Sequence, residues 1–194
     1  MNTRVILASG SPRRKDLLKL VVPEFEINVS DIEEILQDGL TPYEQAARLS
    51  YVKAKDIFDK TQGNRIVIGS DTMVVKNNKI YGKPKDKQDA KNMIKELLQG
   101  DRSHEVVTGL SVLIEKDGEY REEKIYDVSK VYFKEMSDEE IEKWIDTGKA
   151  LDKAGAYASQ EEFGVFIDKI DGNYHTVVGL PIHRLYDLIK NEID

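Results

Sequence analysis

The sequence predicts an α/β fold, a twisted mixed sheet flanked by helices, built by residues 1–194 as one domain. Three observations predict it. In the first half, short apolar runs alternate with amphipathic helical stretches, the pattern of strands joined by helices. In the second half, two long strand-like stretches meet at Asp117-Gly118, the pattern of an antiparallel hairpin. The chain has 194 residues, 40% of them hydrophobic, which is enough to bury a core and is the size at which a single domain is the default.

Residues 4–8 are a short apolar run and read as a buried strand. Ser9-Gly10-Ser11-Pro12 follows, and a helix runs on to about Leu20. Ser11 suits its N-cap and Pro12 its first turn, where a missing amide proton costs nothing. Residues 25–29 alternate and read as a second strand. Thr41-Pro42-Tyr43-Glu44 has the spacing of a capping box, and Ala46, Leu49, Val52 and Phe58 continue as an apolar stripe to about Lys60. Residues 65–69 read as a buried strand ending at Ser70-Asp71-Thr72. Beyond it, residues 73–76 and 79–81 flank Asn77-Asn78 as a hairpin.

A third helix over 87–98 turns Ala90, Met93, Ile94 and Leu97 inward and stops at Gly100. Residues 104–114 and 119–133 are the two long strands. Ser137 and Glu140 form a second capping box, opening a helix through Ile141, Trp144 and Ile145 that ends at Gly148. Residues 149–160 read as loop, 165–170 as strand and Asp171-Gly172-Asn173 as a turn. Pro181 opens a final helix with Leu185, Leu188 and Ile189 inward.

The chain has no cysteine, which removes disulfides, thiolate metal sites and cysteine nucleophiles together and fits a reducing compartment. No stretch approaches the ~18 consecutive apolar residues of a membrane span, and the N-terminus lacks a signal-peptide pattern. The expectation is a cytoplasmic protein without a membrane partner. A net charge of -7 argues against broad nucleic-acid binding, which draws on large basic surfaces. A small anionic ligand needs only a few cations gathered locally.

The run Ala8-Ser9-Gly10-Ser11-Pro12-Arg13-Arg14 sets two guanidinium groups in the first turn of a helix. Cations are disfavoured at that end of a helix, whereas a bound anion gains from free amides, dipole and arginine forks together. On pattern alone two readings stand: a phosphate site, or a well-capped helix with solvated arginines. Asp31, Glu33 and Glu34 read either as a solvated acidic turn or as ligands for a hard cation. Mg²⁺ takes one or two protein carboxylates plus substrate phosphates, so Glu34 and Asp71 would be enough. Asp71 stands where the apolar run 66–69 ends, and a carboxylate there needs a partner.

Lys53 lies near the apolar stripe of its helix and Lys83 is held in Gly82-Lys83-Pro84; both are point charges suited to polyphosphate, among 29 basic residues that mostly serve solubility. His104, His175 and His183 offer no metal pair at helical spacing, and GxSxG, Walker A and HExxH patterns are absent. Each His therefore reads as structural, and Trp144, on a stripe with Ile141 and Ile145, reads as core.

Taken in order, these segments make the chain resemble the Maf family over nearly its whole length. Ala8-Ser9-Gly10-Ser11-Pro12-Arg13-Arg14 with Leu17-Leu18 matches the family's first motif, Asp31-Ile32-Glu33-Glu34 is similar to its acidic motif, and Lys53-Ala54 to its helical lysine. Gly69-Ser70-Asp71-Thr72, Gly82-Lys83-Pro84, Ser103-His104 with Thr108-Gly109, and Asp152-Lys153-Ala154-Gly155-Ala156-Tyr157 follow in the family's order. Asn173-Tyr174 with Val177-Val178-Gly179-Leu180-Pro181 completes the set.

The resemblance implies an elongated, two-lobed fold with a central cleft, related to the inosine triphosphate pyrophosphatases. It implies hydrolysis of nucleoside triphosphates between the α and β phosphates with Mg²⁺ or Mn²⁺. By the same resemblance Asp71 accepts the proton of the attacking water, Glu34 and Asp71 hold the metal, and Ser9, Arg13, Arg14, Lys53 and Lys83 meet phosphate. Arg13, Thr72 and Gln160 match the positions that choose the base. Whether Asp71 is base, metal ligand or both stays open.

The Asp152-to-Tyr157 run followed by Gln160 resembles the branch acting on dTTP and UTP, and an amide that both donates and accepts suits the edge of thymine or uracil. The chain departs from that branch at Ala158-Ser159-Gln160-Glu161-Glu162-Phe163-Gly164, where a hydrophobic residue usually precedes the Gln and glycines follow it. Glu161 and Glu162 stand where they would reshape or close the base pocket. Members of the family have been linked to inhibition of septum formation, which gives a rival reading: a nucleotide-binding regulator of cell division without turnover. Asp71 separates the two, since a carboxylate beside phosphates weakens mere binding. An interaction protein with no turnover is a third reading, and the resemblance also admits a homodimer.

Overall fold

The computed structural model describes residues 3–193. In chain order its elements are β1 (Arg4–Leu7), α1 (Pro12–Leu18), β2 (Glu26–Ile27), α2 (Pro42–Lys60), β3 (Arg65–Lys76), β4 (Lys79–Tyr81), α3 (Lys87–Leu97), β5 (Ser103–Lys116), β6 (Glu119–Phe133), α4 (Asp138–Asp146), β7 (Ile167–Asp171), α5 (Tyr174–Val178) and α6 (Ile182–Ile189). The strands form one sheet in the order β2-β1-β3-β5-β6-β7, with β4 paired to β3. β1 runs parallel to β2 and β3, whereas β3 with β4 and β6 with β7 are antiparallel, so the sheet is mixed as expected.

Local chemistry sets most boundaries. Thr41 and Ser137 each complete a capping box, with Glu44 and Glu140 reaching back to the cap backbone. Asn77 and Asn78 take φ of 50° and 63°, the left-handed pair that a two-residue hairpin demands.

Several elements differ from the sequence reading. β3 does not stop at Ser70-Asp71-Thr72 but runs on to Lys76, because its polar side chains are satisfied where they stand. The Ser70 hydroxyl lies 3.0 Å from the Gly109 carbonyl oxygen and 2.9 Å from that of Gly179, and Asp71 has a lysine partner. Residues 165 and 166 belong to a 3₁₀ turn (Glu162–Phe166), with β7 starting at Ile167; the Phe166 ring packs on Phe163 while its carbonyl accepts from the Lys134 N–H at 2.8 Å. The short α5 was not anticipated; Asn173 Oδ1 accepts from the His175 N–H at 2.8 Å at its start. β2 is only two residues long, and both are exposed.

The chain divides into two compact units. One takes residues up to Asp71, Thr108–Asp127 and the chain from Gly179 onward; the other takes Thr72–Val107 and Val128–Val178. In the first, Ile6, Ala8, Val67 and Leu113 pack against Ala54, Ile57 and Phe58 of α2. Two glycines let α2 come this close. A methyl group at Gly69 would stand 2.2 Å from the Ser50 carbonyl oxygen, and one at Gly109 would stand 1.9 Å from that of Ala46. The bare backbone of β3 and β5 is thus the seat of α2, and Ser50 seals it with a 2.8 Å hydrogen bond to Ser111.

The second unit has an aromatic core in which Phe163 touches Phe133, Trp144, Tyr157 and Phe166. Trp144 is buried there and donates its indole N–H to the Ala156 carbonyl at 2.8 Å, a core role as expected. His104 is buried with its Nε2 2.7 Å from the Tyr157 hydroxyl, and its Nδ1 has no hydrogen-bond partner among the described residues. Burial, helped by the charge of Lys76, pushes the imidazole pKa down to about 3.

An unfolded His titrates near 6.5, so below that pH the unfolded chain takes up a proton that the folded one refuses. Stability should therefore fall between about pH 6.5 and 3, by about 1.4 kcal/mol per pH unit from this group. Urea unfolding at pH 7 and pH 5 checks it: the parent should lose about 2 kcal/mol more than a His104→Asn variant over that interval. Among the described residues no helix is long and apolar enough to cross a membrane.

Candidate active site

Side chains alternate across a strand, so Asp71 leaves β3 on the same face as Gly69, the face covered by α2. On that helix Lys53 lies one turn beyond Ser50, whose carbonyl sits over Gly69. The geometry delivers the lysine to the carboxylate. Lys53 Nζ is 2.6 Å from Asp71 Oδ1 and 2.7 Å from Glu34 Oε1. The side chains of Lys53 and Asp71 are only 11% and 8% exposed, whereas that of Glu34 is 59% exposed. Two acids from different segments thus converge on one cation, with a buried floor and an open rim.

Burial raises the Asp71 carboxyl above its usual range. The charges of Lys53 and Arg14 and the Lys53 hydrogen bond pull the other way without cancelling it, and Glu34 adds to the rise. A buried carboxyl with that bias is a better proton acceptor than a solvated one. Burial likewise lowers the Arg14 guanidinium, against the attraction of Asp71.

Ser9 and Arg14 lie in the same unit. Arg14 donates from Nη1 to Ser9 Oγ at 3.1 Å and from Nε to the Gly179 carbonyl at 3.0 Å. The Gly179 oxygen also accepts from Ser70, so this one carbonyl ties Arg14 and β3 together. Ser11 holds the N-cap position of α1 but makes no side-chain cap bond; its N–H turns to Ser9 Oγ at 3.3 Å. Arg13 is half-buried, and its side chain makes no hydrogen bond or ion pair among the described residues.

Thr72, Lys83 and Gln160 belong to the second unit. Thr72 is half-buried on β3. Lys83 is exposed on a loop pinned by the Gly155 N–H, which donates to the Gly82 carbonyl at 3.0 Å, and by buried Pro84. Gln160 is exposed, its Oε1 accepting from Ser159 Oγ at 3.2 Å. Of the carboxylates after it, Glu161 pairs with buried Lys153 at 3.2 Å and Glu162 with Lys149 at 2.5 Å. Each has a lysine partner in its own unit.

Asp31 and Glu33 are exposed. Among the described residues no group of three or more His or acidic side chains stands together as a ready-made metal cage. His183 lies 3.8 Å from Asp127. Sequence reasoning passed over Gln45, a buried amide on α2 between the helix start and the apolar stripe, and Arg48. A Gln beside Ala46 and Leu49 on an inward face was the signal, since a buried amide has to be bonding something.

The Maf-like protein family model matches residues 4–192. The chain is 45% identical to the dTTP/UTP pyrophosphatase of Alkaliphilus metalliredigens, over 96% of this chain and 94% of that one. It is also 45% identical to the dTTP/UTP pyrophosphatase of Alkaliphilus oremlandii, over 98% and 97%. Among solved structures, the Staphylococcus aureus Ham1 protein aligns at 17% identity with a TM-score of 0.49, covering 98% of this chain and 100% of that one. With its motifs in order from Ala8 to Pro181 and the family model spanning all but its ends, the chain belongs to the Maf family.

Proposed function

We propose that this protein is a hydrolase that converts nucleoside triphosphates, dTTP and UTP foremost, to the monophosphate and pyrophosphate. The observation that carries the reading is the buried Asp71 carboxylate, raised in basicity and fixed by Lys53 beside Glu34. The pyrimidine preference is supported by the relatives named dTTP/UTP pyrophosphatase and by Gln160, whose amide suits the donor and acceptor edge of uracil or thymine. Its place of action would be the cytoplasm, where nucleoside triphosphates are held.

In this reading Asp71 orients a water molecule and accepts its proton. The water oxygen bonds to the α-phosphorus, and the bond to the α–β bridging oxygen breaks with its electron pair leaving on pyrophosphate. Lys53, Lys83, Ser9, Arg13 and Arg14 supply the charge and hydrogen bonds that hold the phosphates. Arg13, Thr72 and Gln160 choose the base.

The residues fit a divalent cation. Glu34 and Asp71 already share one positive centre, the Lys53 ammonium, and two carboxylates are the protein share of a typical Mg²⁺ site whose remaining ligands are waters and phosphates. Glu34 and Asp71 would hold Mg²⁺ or Mn²⁺. When bound, such an ion neutralises charge on the phosphate chain.

The test is turnover of dTTP, UTP, CTP, ATP and GTP by the purified protein with Mg²⁺ or Mn²⁺, read as released pyrophosphate. dTTP and UTP should be fastest. Silence toward every triphosphate would overturn the reaction and favour a binding-only regulator, whereas GTP matching UTP would overturn only the base assignment.

A further inference from the structure

We infer that Gln45 and Arg48 are positioning residues: they strap the loop of residues 30–37 onto α2 and thereby set where the Glu34 carboxylate stands. The inference rests on the reading of Glu34 as a metal-holding acid, and it adds the device that keeps that acid in place.

The loop between β2 and α2 has no regular structure where it carries Glu34, and little apolar burial holds it. Ile35 and Leu36 are 60% and 49% exposed. Such a segment opens easily unless polar tethers close it. Besides the Glu34–Lys53 ion pair itself, further tethers run from α2 to this loop. Gln45, 3% exposed, accepts from the Gln37 N–H at 3.2 Å and donates to the Gln37 carbonyl at 2.5 Å, taking both backbone groups of that residue as a neighbouring strand would. Arg48 Nη2 donates to the Ile35 carbonyl, while its Nε lies 3.4 Å from Gln45 Oε1. At the other end Ser30 Oγ donates to Asp56 Oδ2 at 2.7 Å.

The tethered residues 30, 35 and 37 bracket Glu34, and the tethering residues bracket Lys53 along the same helix. One rigid element therefore presents the ammonium and holds the loop whose acid meets it. Cutting the strap should leave the site chemically complete but lower the fraction of molecules in which Glu34 is in place. Apparent metal affinity falls by that fraction.

The experiment uses the intact protein with Gln45→Met, Arg48→Met and Arg48→Lys. Mn²⁺ alone is the probe, its binding followed by calorimetry, with amide exchange across residues 30–37 and dTTP turnover as a function of Mn²⁺. The Met variants should weaken Mn²⁺ binding about 10-fold or more, raise the Mn²⁺ needed for half-maximal turnover more than they lower kcat, and speed exchange at the Gln37 N–H. Arg48→Lys, which keeps one donor, should recover most of the loss. Combined with Glu34→Gln, the Gln45→Met change should have no further effect on Mn²⁺ binding.

Unchanged exchange at residues 30–37 in both Met variants would overturn the strap itself. Faster exchange with unaltered Mn²⁺ affinity, or an equal loss in the Glu34→Gln background, would overturn its role toward Glu34. Should Glu34→Gln alone leave Mn²⁺ binding intact, the metal assignment of Glu34 fails instead, and the exchange data report separately on the strap.

Discussion

Replacing Asp71 with Asn should lower dTTP turnover by about 10²- to 10⁴-fold, the usual contribution of a positioned proton acceptor, while triphosphate binding persists. The substitution keeps the size of the side chain and an oxygen that can accept from Lys53, now 2.6 Å away. It removes the carboxylate charge, and with it the basicity that burial has raised. Lys53 is not orphaned, because Glu34 stays 2.7 Å from its Nζ, so the large cost of an unpaired buried charge is avoided. Calorimetric binding of dTTP alongside kcat separates the outcomes. Parental kcat in the variant would remove Asp71 from the chemistry, and a folded variant with parental kcat and weaker binding would make it a binding residue only.

Gly109→Ala should be strongly destabilising. The new carbon would sit 1.9 Å from the Ala46 carbonyl oxygen and 2.3 Å from its carbon, both backbone atoms of α2 that no rotamer change can move. Either α2 lifts or β5 yields, and the cost should reach about 3 kcal/mol or more. Because Lys53 rides on α2, activity should fall with stability. Gly63→Ala is the control: its φ of 79° disfavours a side chain, but nothing lies within 4 Å of the added carbon. That variant should lose only about 1 kcal/mol. Urea midpoints for the two variants would contradict the steric account if they were alike.

The parts of the fold legible in the sequence are those governed by neighbours along the chain. Thr41 with Glu44, Ser137 with Glu140, the Asn77-Asn78 turn and the Asp117-Gly118 turn each act within a few residues, and each is formed as read. The reading faltered where a distant partner decides. Ser70 and Asp71 look like strand breakers until the carbonyls of Gly109 and Gly179 and the Lys53 ammonium satisfy them. Residues 165 and 166 read as the start of a strand, yet they close a 3₁₀ turn whose Phe166 ring packs into the aromatic cluster around Phe163.

The candidate site divides in the same way. Motif order pointed to the Maf family, and the family match over residues 4–192 agrees. Residue types and motif order also nominated Glu34, Lys53 and Asp71 singly. Nothing along the chain showed that the lysine would bond both acids, since Lys53 and Asp71 are 18 residues apart and belong to different elements.

By itself, then, the sequence determined the mixed α/β class, the helix starts and turns, and the family to which the chain belongs. The tertiary structure alone decided how acid, base and cation meet, and that Gln45 and Arg48 hold the acidic loop. The reason is close approach. Gly69 and Gly109 signify nothing locally, but with no side chain on either, a helix settles onto two strands and carries its lysine to a carboxylate that water scarcely reaches.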